Sequence, residues 1–213
     1  MFETHEKQLE ELLAHPSVWR GRSRATVETF PTGFAALDAG LPGGGWPRHG
    51  LIEILTPQPG AGELYLLLPA LAALSQLTPA RWCTWICPPH EPFTPALAAH
   101  GVALDRMLIV RTHLPVWAQE QALRSGACEV AMAWLPRASP RAIRRLQLAA
   151  EQGRALGVLY RSRAFASEPS PAMLRVLLEP MVDAGRHGAR VSLLKSRGGS
   201  REPIELQWAA AAA

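Results

Sequence analysis

Apolar positions along this chain switch between short continuous runs and helical spacings, and the switching lays out its elements. Gly50–Leu55, Trp82–Cys87, Met107–Arg111, Glu129–Trp134 and Gly157–Tyr160 are runs of the buried-strand type. Helical spacing lies before and between them, over Thr32–Ala39, Glu63–Leu77, Pro95–Gly101, Trp117–Gly126 and Pro140–Gln152. After a loop at Ser162–Pro171 the period changes. Leu174–Leu178, Arg190–Lys195 and Ile204–Trp208 read as strands joined without helices. A run of βα units followed by a β-meander predicts an α/β fold. Its sheet is expected to be mostly parallel, flanked by helices, with antiparallel strands at the C-terminal edge.

The N-terminal residues predict a separate arm. Leu9, Leu12 and Leu13 share one face of a helix over residues 3–14, which His15-Pro16 ends. An arginine-rich connector, Trp19 to Arg24, follows, and Val27–Phe30 reads as a short strand. The expected organisation is an arm and linker over 1–26, a core over 27–208, and an alanine-rich tail at 209–213 that resembles a cloning remnant.

Composition narrows the class. Apolar residues make up 48% of the chain, enough for a sizeable core, and the net charge of +4 is a mild basic excess. That excess permits contact with nucleic acid or an acidic partner without requiring it. Cys83, Cys87 and Cys128 lack the spaced His or Cys company of a zinc site, so they read as buried thiols. No signal peptide opens the chain, and no apolar run reaches the roughly 18 residues of a membrane span, so a cytoplasmic location is expected.

The strand–loop–helix step at residues 50–77 is where a phosphate cradle belongs. A working cradle, G-x-x-x-x-G-K-[ST], wraps phosphate with backbone N–H groups, neutralises it with lysine and holds Mg²⁺ with the hydroxyl. Here the first glycine position is Pro57, which has no N–H to donate. Gly60 lies inside the loop and Gly62 keeps the second glycine position. Glu63 replaces the lysine and Leu64 the hydroxyl. At ~4 Å and an effective dielectric of ~20 a unit-charge pair is worth roughly 4 kcal/mol, so exchanging attraction for repulsion strongly disfavours a triphosphate. Glu63 also suits a helix N-terminus for its dipole, so the same loop reads as an ordinary helix start.

Thr32-Gly33, Ala36-Leu37-Asp38, Gly43–Gly45 and Gly50–Ile54 together resemble the start of the RecA recombinase core. Closer still, His15–Gly21, Pro42–Pro47, Gly60–Leu64, Pro88-Pro89-His90, Arg144–Ala150 and Leu194–Gly199 resemble the ImuA family of damage-inducible mutagenesis proteins. This resemblance implies a RecA-like core serving error-prone translesion synthesis under the SOS response. The implied partners are an ImuB-type inactive Y-family polymerase, RecA itself and, indirectly, an error-prone replicative-type polymerase. Against an active recombinase, Trp134 stands at the position of the metal-site aspartate and Pro89 at that of the catalytic glutamate, with Glu91 two residues away. The expectation is therefore a non-catalytic adaptor with no cofactor and no metal.

Two surfaces are expected to carry contacts. Leu9, Leu12, Leu13, Trp19, Val27 and Phe30 are candidates for docking a protein partner, Val27–Phe30 by strand addition. Arg137, Arg141, Arg144 and Arg145 form a basic cluster, with Arg161 and Arg163 nearby, which reads first as a solvated helix face and otherwise as a contact for an acidic partner or, weakly, for DNA. Two alternatives stand beside the adaptor. A related damage-induced family uses a similarly stripped domain to inhibit cell division by blocking a tubulin-like filament; the other alternative is a residual nucleotide-binding switch.

Overall fold

The computed structural model describes residues 28–183, 186–196, 199 and 202–208. Strands are β1 (Thr29–Phe30), β2 (Trp46–Pro47), β3 (Gly50–Thr56), β4 (Trp82–Ile86), β5 (Met107–Val110), β6 (Cys128–Trp134), β7 (Leu156–Ser162), β8 (Leu174–Asp183), β9 (Arg186–Lys195) and β10 (Ile204–Gln207). Helices are α1 (Ala35–Gly40), α2 (Glu63–Ser75), α3 (Thr94–Ala99), α4 (Pro115–Arg124) and α5 (Pro140–Gln152). Eight strands form one sheet in the order β10-β9-β8-β3-β7-β6-β4-β5, while β1 and β2 form a small antiparallel pair.

The sheet is mixed. β5, β4, β6, β7, β3 and β8 run parallel, and β9 and β10 are antiparallel to their neighbours. Its two longest strands are β8 and β9, ten residues each, and they form a hairpin. The sheet is thus a mixed one of eight strands with few helices, and the RecA-like core expected from the sequence is corrected. The sheet is mixed because no helix among the described residues intervenes between β8, β9 and β10 to force a parallel crossover.

Alternation along the strands fills two cores, one on each face. One gathers Leu37, Trp46, Ile52, Ile54, Leu66, Leu71, Trp85 and Val176 under α1 and α2. The other packs Leu51, Leu123, Ala131, Ile143, Leu146 and Leu159 under α4 and α5. Gly33 ties the chain ahead of α1 to α2: its φ is +89°, and a Cβ there would meet Pro69 Cβ at 2.3 Å.

The β1–β2 pair brings His49 beside Glu28 and Arg154. Burial lowers the His49 pKa, Arg154 adds to that, and the mostly exposed Glu28 at 3.4 Å opposes it with the smaller effect. Because the unfolded chain binds this proton more readily, His49 contributes stability that is complete above the ordinary imidazole pKa of about 6.5 and lost as the pH falls below it. Urea midpoints should therefore drop between about pH 7.5 and pH 5.5, and His49→Gln should drop less over the same interval. Parallel declines in both proteins would assign the proton uptake elsewhere.

Candidate functional site

The loop after β3 is closed by the chain's own side chains. Gly62 takes the N-cap of α2 in the left-handed conformation, φ 96°, and Glu63 opens the helix as a buried residue. The Gly60 N–H donates to Glu63 Oε1 at 2.9 Å, so a backbone donor suited to phosphate already serves a carboxylate. Above Gly62 lies the Trp208 indole, whose Nε1 would be 3.2 Å from a Cβ built there. Trp208 stacks on Tyr65 with centroids 5.9 Å apart and meets the Phe34 ring edge-on at 5.5 Å. Leu64 packs against the core, and Pro57 is exposed on the loop.

Parallel α/β sheets bind ligands beyond the carboxyl ends of their strands, where neighbouring connections diverge. In this molecule aromatic rings fill that end of the central strands. Trp134, the last residue of β6, stacks on Tyr160 of β7 at 4.6 Å and lies 5.7 Å from Trp85 of β4. Burial, and then the Glu63 charge, push the Tyr160 phenol well above its usual pKa, which keeps it neutral. Pro89 is exposed in the connection after β4, and nearby Glu91 is ion-paired to Arg111. Among the described residues no group of three or more His, Cys, Asp or Glu side chains could hold a metal ion. Among them, too, no helix is long and apolar enough to cross a membrane.

The basic cluster divides into two parts. Arg137, Arg141 and Arg144 are exposed at and before the start of α5 and have no ion-pair partner among the described residues. Arg145 is ion-paired to the buried Glu120, which also accepts from Arg124 at 3.1 Å, so it is tied to α4. Arg161 is buried and bound to Glu53, while Arg163 lies 3.8 Å from Glu179. Of the candidate docking residues, Phe30 is half-buried and paired in register with Trp46 of β2. Leu9, Leu12, Leu13, Trp19 and Val27 lie outside the described residues.

A different surface stands out for its apolar exposure. Among the described residues β5 is an outer strand of the sheet, paired with β4 alone, and its Leu108 and Ile109 are both exposed. Leu114 and Trp117 at the start of α4, and Phe93 just before α3, are 64%, 57% and 72% exposed. The Glu91–Arg111 pair and the Cys87 N–H bond to the Val110 carbonyl bring the segments bearing Phe93 and Leu114 together. Exposed apolar groups gathered around one unpaired edge mark an interaction surface.

Comparison with known proteins gives one consistent family. Residues 52–157 match the family model described as "Cell division inhibitor SulA". The cell division inhibitor SulA of Edwardsiella piscicida is 33% identical over 147 residues, covering 67% of this chain and 82% of that protein. The Serratia marcescens protein of the same name is 33% identical over 120 residues, covering 54% of this chain and 69% of that one. The crystal structure of SulA from Pseudomonas aeruginosa is 30% identical, covers 52% of this chain and 97% of that chain, and superposes with a TM-score of 0.45.

These matches overturn the ImuA assignment and what it implied. The translesion adaptor role falls with it, as do the ImuB-type polymerase, the replicative-type polymerase and RecA as partners, and the RecA-like core gives way to a SulA-like fold. The residues behind the RecA resemblance have structural roles: the Asp38 carboxylate, for example, accepts the Thr32 N–H at 2.8 Å. Such residues mark a scaffold without marking its partner. With a third of its positions shared across four-fifths of a relative's length, this chain belongs to the SulA cell division inhibitor family.

Proposed function

We propose that this protein halts cell division by binding a tubulin-like filament protein of the division machinery and denying it further subunits. Family membership carries the reading, since the aligned relatives are named as cell division inhibitors. The reading places the protein in the cytoplasm, acting after DNA damage. Inhibition is stoichiometric and needs no catalysis. Glu63 at the lysine position, its bond to Gly60, and Trp208 over Gly62 support an inhibitor that uses no nucleotide. The contact surface is the β5 edge with Phe93, Leu114 and Trp117, because that is where exposed apolar side chains gather around an unpaired strand.

Pelleting the filament protein with GTP against increasing amounts of this protein tests the reading. Polymer should fall in proportion to added inhibitor and be nearly absent at an equimolar ratio. Undiminished polymer at a severalfold excess would sink the proposal.

A further inference from the structure

The fold uses only part of the basic cluster around α5. Arg145, Arg161 and Arg163 are taken up by Glu120, Glu53 and Glu179. Arg137, Arg141 and Arg144 are exposed and have no partner among the described residues. Spacings of three and four set Arg141, Arg144 and Leu148 along the outer face of α5, where Leu148 is 46% exposed.

Strand order puts this stripe beside Leu114 and Trp117. β5, β6 and β7 share one direction, so α4, leading from β5 to β6, and α5, leading from β6 to β7, run parallel to each other. The two helices are joined by the ion pair of Glu120 on α4 with Arg145 on α5. Trp117 precedes Glu120 by three positions and Arg141 precedes Arg145 by four, so each stands one turn nearer the start of its helix. Both are exposed. An apolar stripe on α4 therefore adjoins a basic stripe on α5.

We propose, as an extension that rests on the filament-inhibitor reading, that the contact surface continues from Leu114 and Trp117 across α5, where the filament protein meets Arg137, Arg141 and Arg144 with a cluster of carboxylates. Arginines that hold no internal carboxylate break no ion pair on binding. Charges at the rim of an apolar contact act mainly by steering the encounter and fixing its orientation. Two other occupants match the surface less well. A phosphate backbone leaves Leu114 and Leu148 uncovered, and Trp117 alone is at hand to stack a base. A second copy lacks the complement, since no helix or strand among the described residues carries three acidic side chains.

Association rates of the purified filament protein, without GTP, on the immobilised full chain test the proposal. R141E/R144E should bind on the order of tenfold more slowly than the parent at low salt. The gap should close as salt rises from ~0.05 to ~0.5 M, because exposed charges are then screened. R141K/R144K should keep the parent rate, since steering needs the positive charge and not the guanidinium shape. Melting temperatures of both variants should stay within a few degrees of the parent, as the replaced side chains are exposed and unpaired. Equal low-salt rates for the parent and R141E/R144E, with the parent still inhibiting assembly, would overturn the extension and leave the filament reading standing. No binding by the parent would overturn both. Retention of a single-stranded oligonucleotide by the parent but not by R141E/R144E, with filament binding unaltered, would assign the arginines to nucleic acid instead.

Discussion

Replacing Glu53 by alanine is expected to remove about 3–5 kcal/mol of stability, a third or more of what a domain usually possesses. Glu53 is fully buried in the middle of β3. Arg161 Nη1 donates to its Oε1 at 2.9 Å and Arg175 Nε to its Oε2 at 2.6 Å. Both guanidinium groups are themselves buried, so removing the carboxylate strands two positive charges away from water. The loss should spread to the loops after β6 and β7. Arg161 donates to the Ala138 carbonyl at 3.0 Å and lies 4.5 Å from the centroid of the Phe165 ring. Arg175 donates to the carbonyls of Phe165 at 2.8 Å and Glu168 at 2.6 Å. Denaturant unfolding measures the effect. A midpoint shift equivalent to less than about 1 kcal/mol would mean that water reaches the arginines and the triad is not closed. Replacing all three residues by apolar ones of similar volume should cost far less, since the penalty arises from unpaired charge and not from absent attraction.

The same triad shows where sequence reasoning stops. Arg161 reads in sequence as part of a surface basic cluster, because nothing within a few residues supplies a carboxylate. Its partner is 108 positions away, on the strand beside it in the sheet. Local pattern does locate the elements: the helix expected at Pro140–Gln152 is α5 itself, and the strands over residues 50–160 shift by a residue or two at their ends. The hairpin was underestimated for a specific reason. Pro180 argues against a strand continuing past Leu178, yet β8 runs on to Asp183. It can do so because β3 pairs only with residues 174–177, and past that point β8 has β9 alone beside it. The apolar edge was missed because Met107–Arg111 has the composition of a buried strand, and an outer position in a sheet depends on strand order. Family identity was obscured by residues such as Thr32 and Asp38, whose hydrogen bond stabilises a turn and carries no information about the partner.

Truncating Trp117 to alanine together with Phe93 is expected to weaken inhibition of filament assembly by roughly 30-fold or more, the effect of losing about 2 kcal/mol at an interface centre. Exposed aromatic side chains are the residues whose removal costs most in protein contacts, because their large faces leave water on binding. Trp117 projects from the first turn of α4 and Phe93 precedes α3, on either side of a strand with an unpaired edge. A partner strand or loop meeting that edge would satisfy its free backbone groups while the two rings cover the flanks. Neither ring supports the fold, as each is more than half exposed, so melting temperatures should stay within a few degrees of the parent protein. Leu194→Ala is the matched control: that side chain is also exposed but sits on β9, at the opposite side of the sheet. It should leave inhibition unchanged. Equal inhibition by the parent and the Trp117/Phe93 variant, with both folded, would move the contact away from the β5 edge. Equal weakening in the Leu194 variant would show that the assay reads apolar surface in general and not this site.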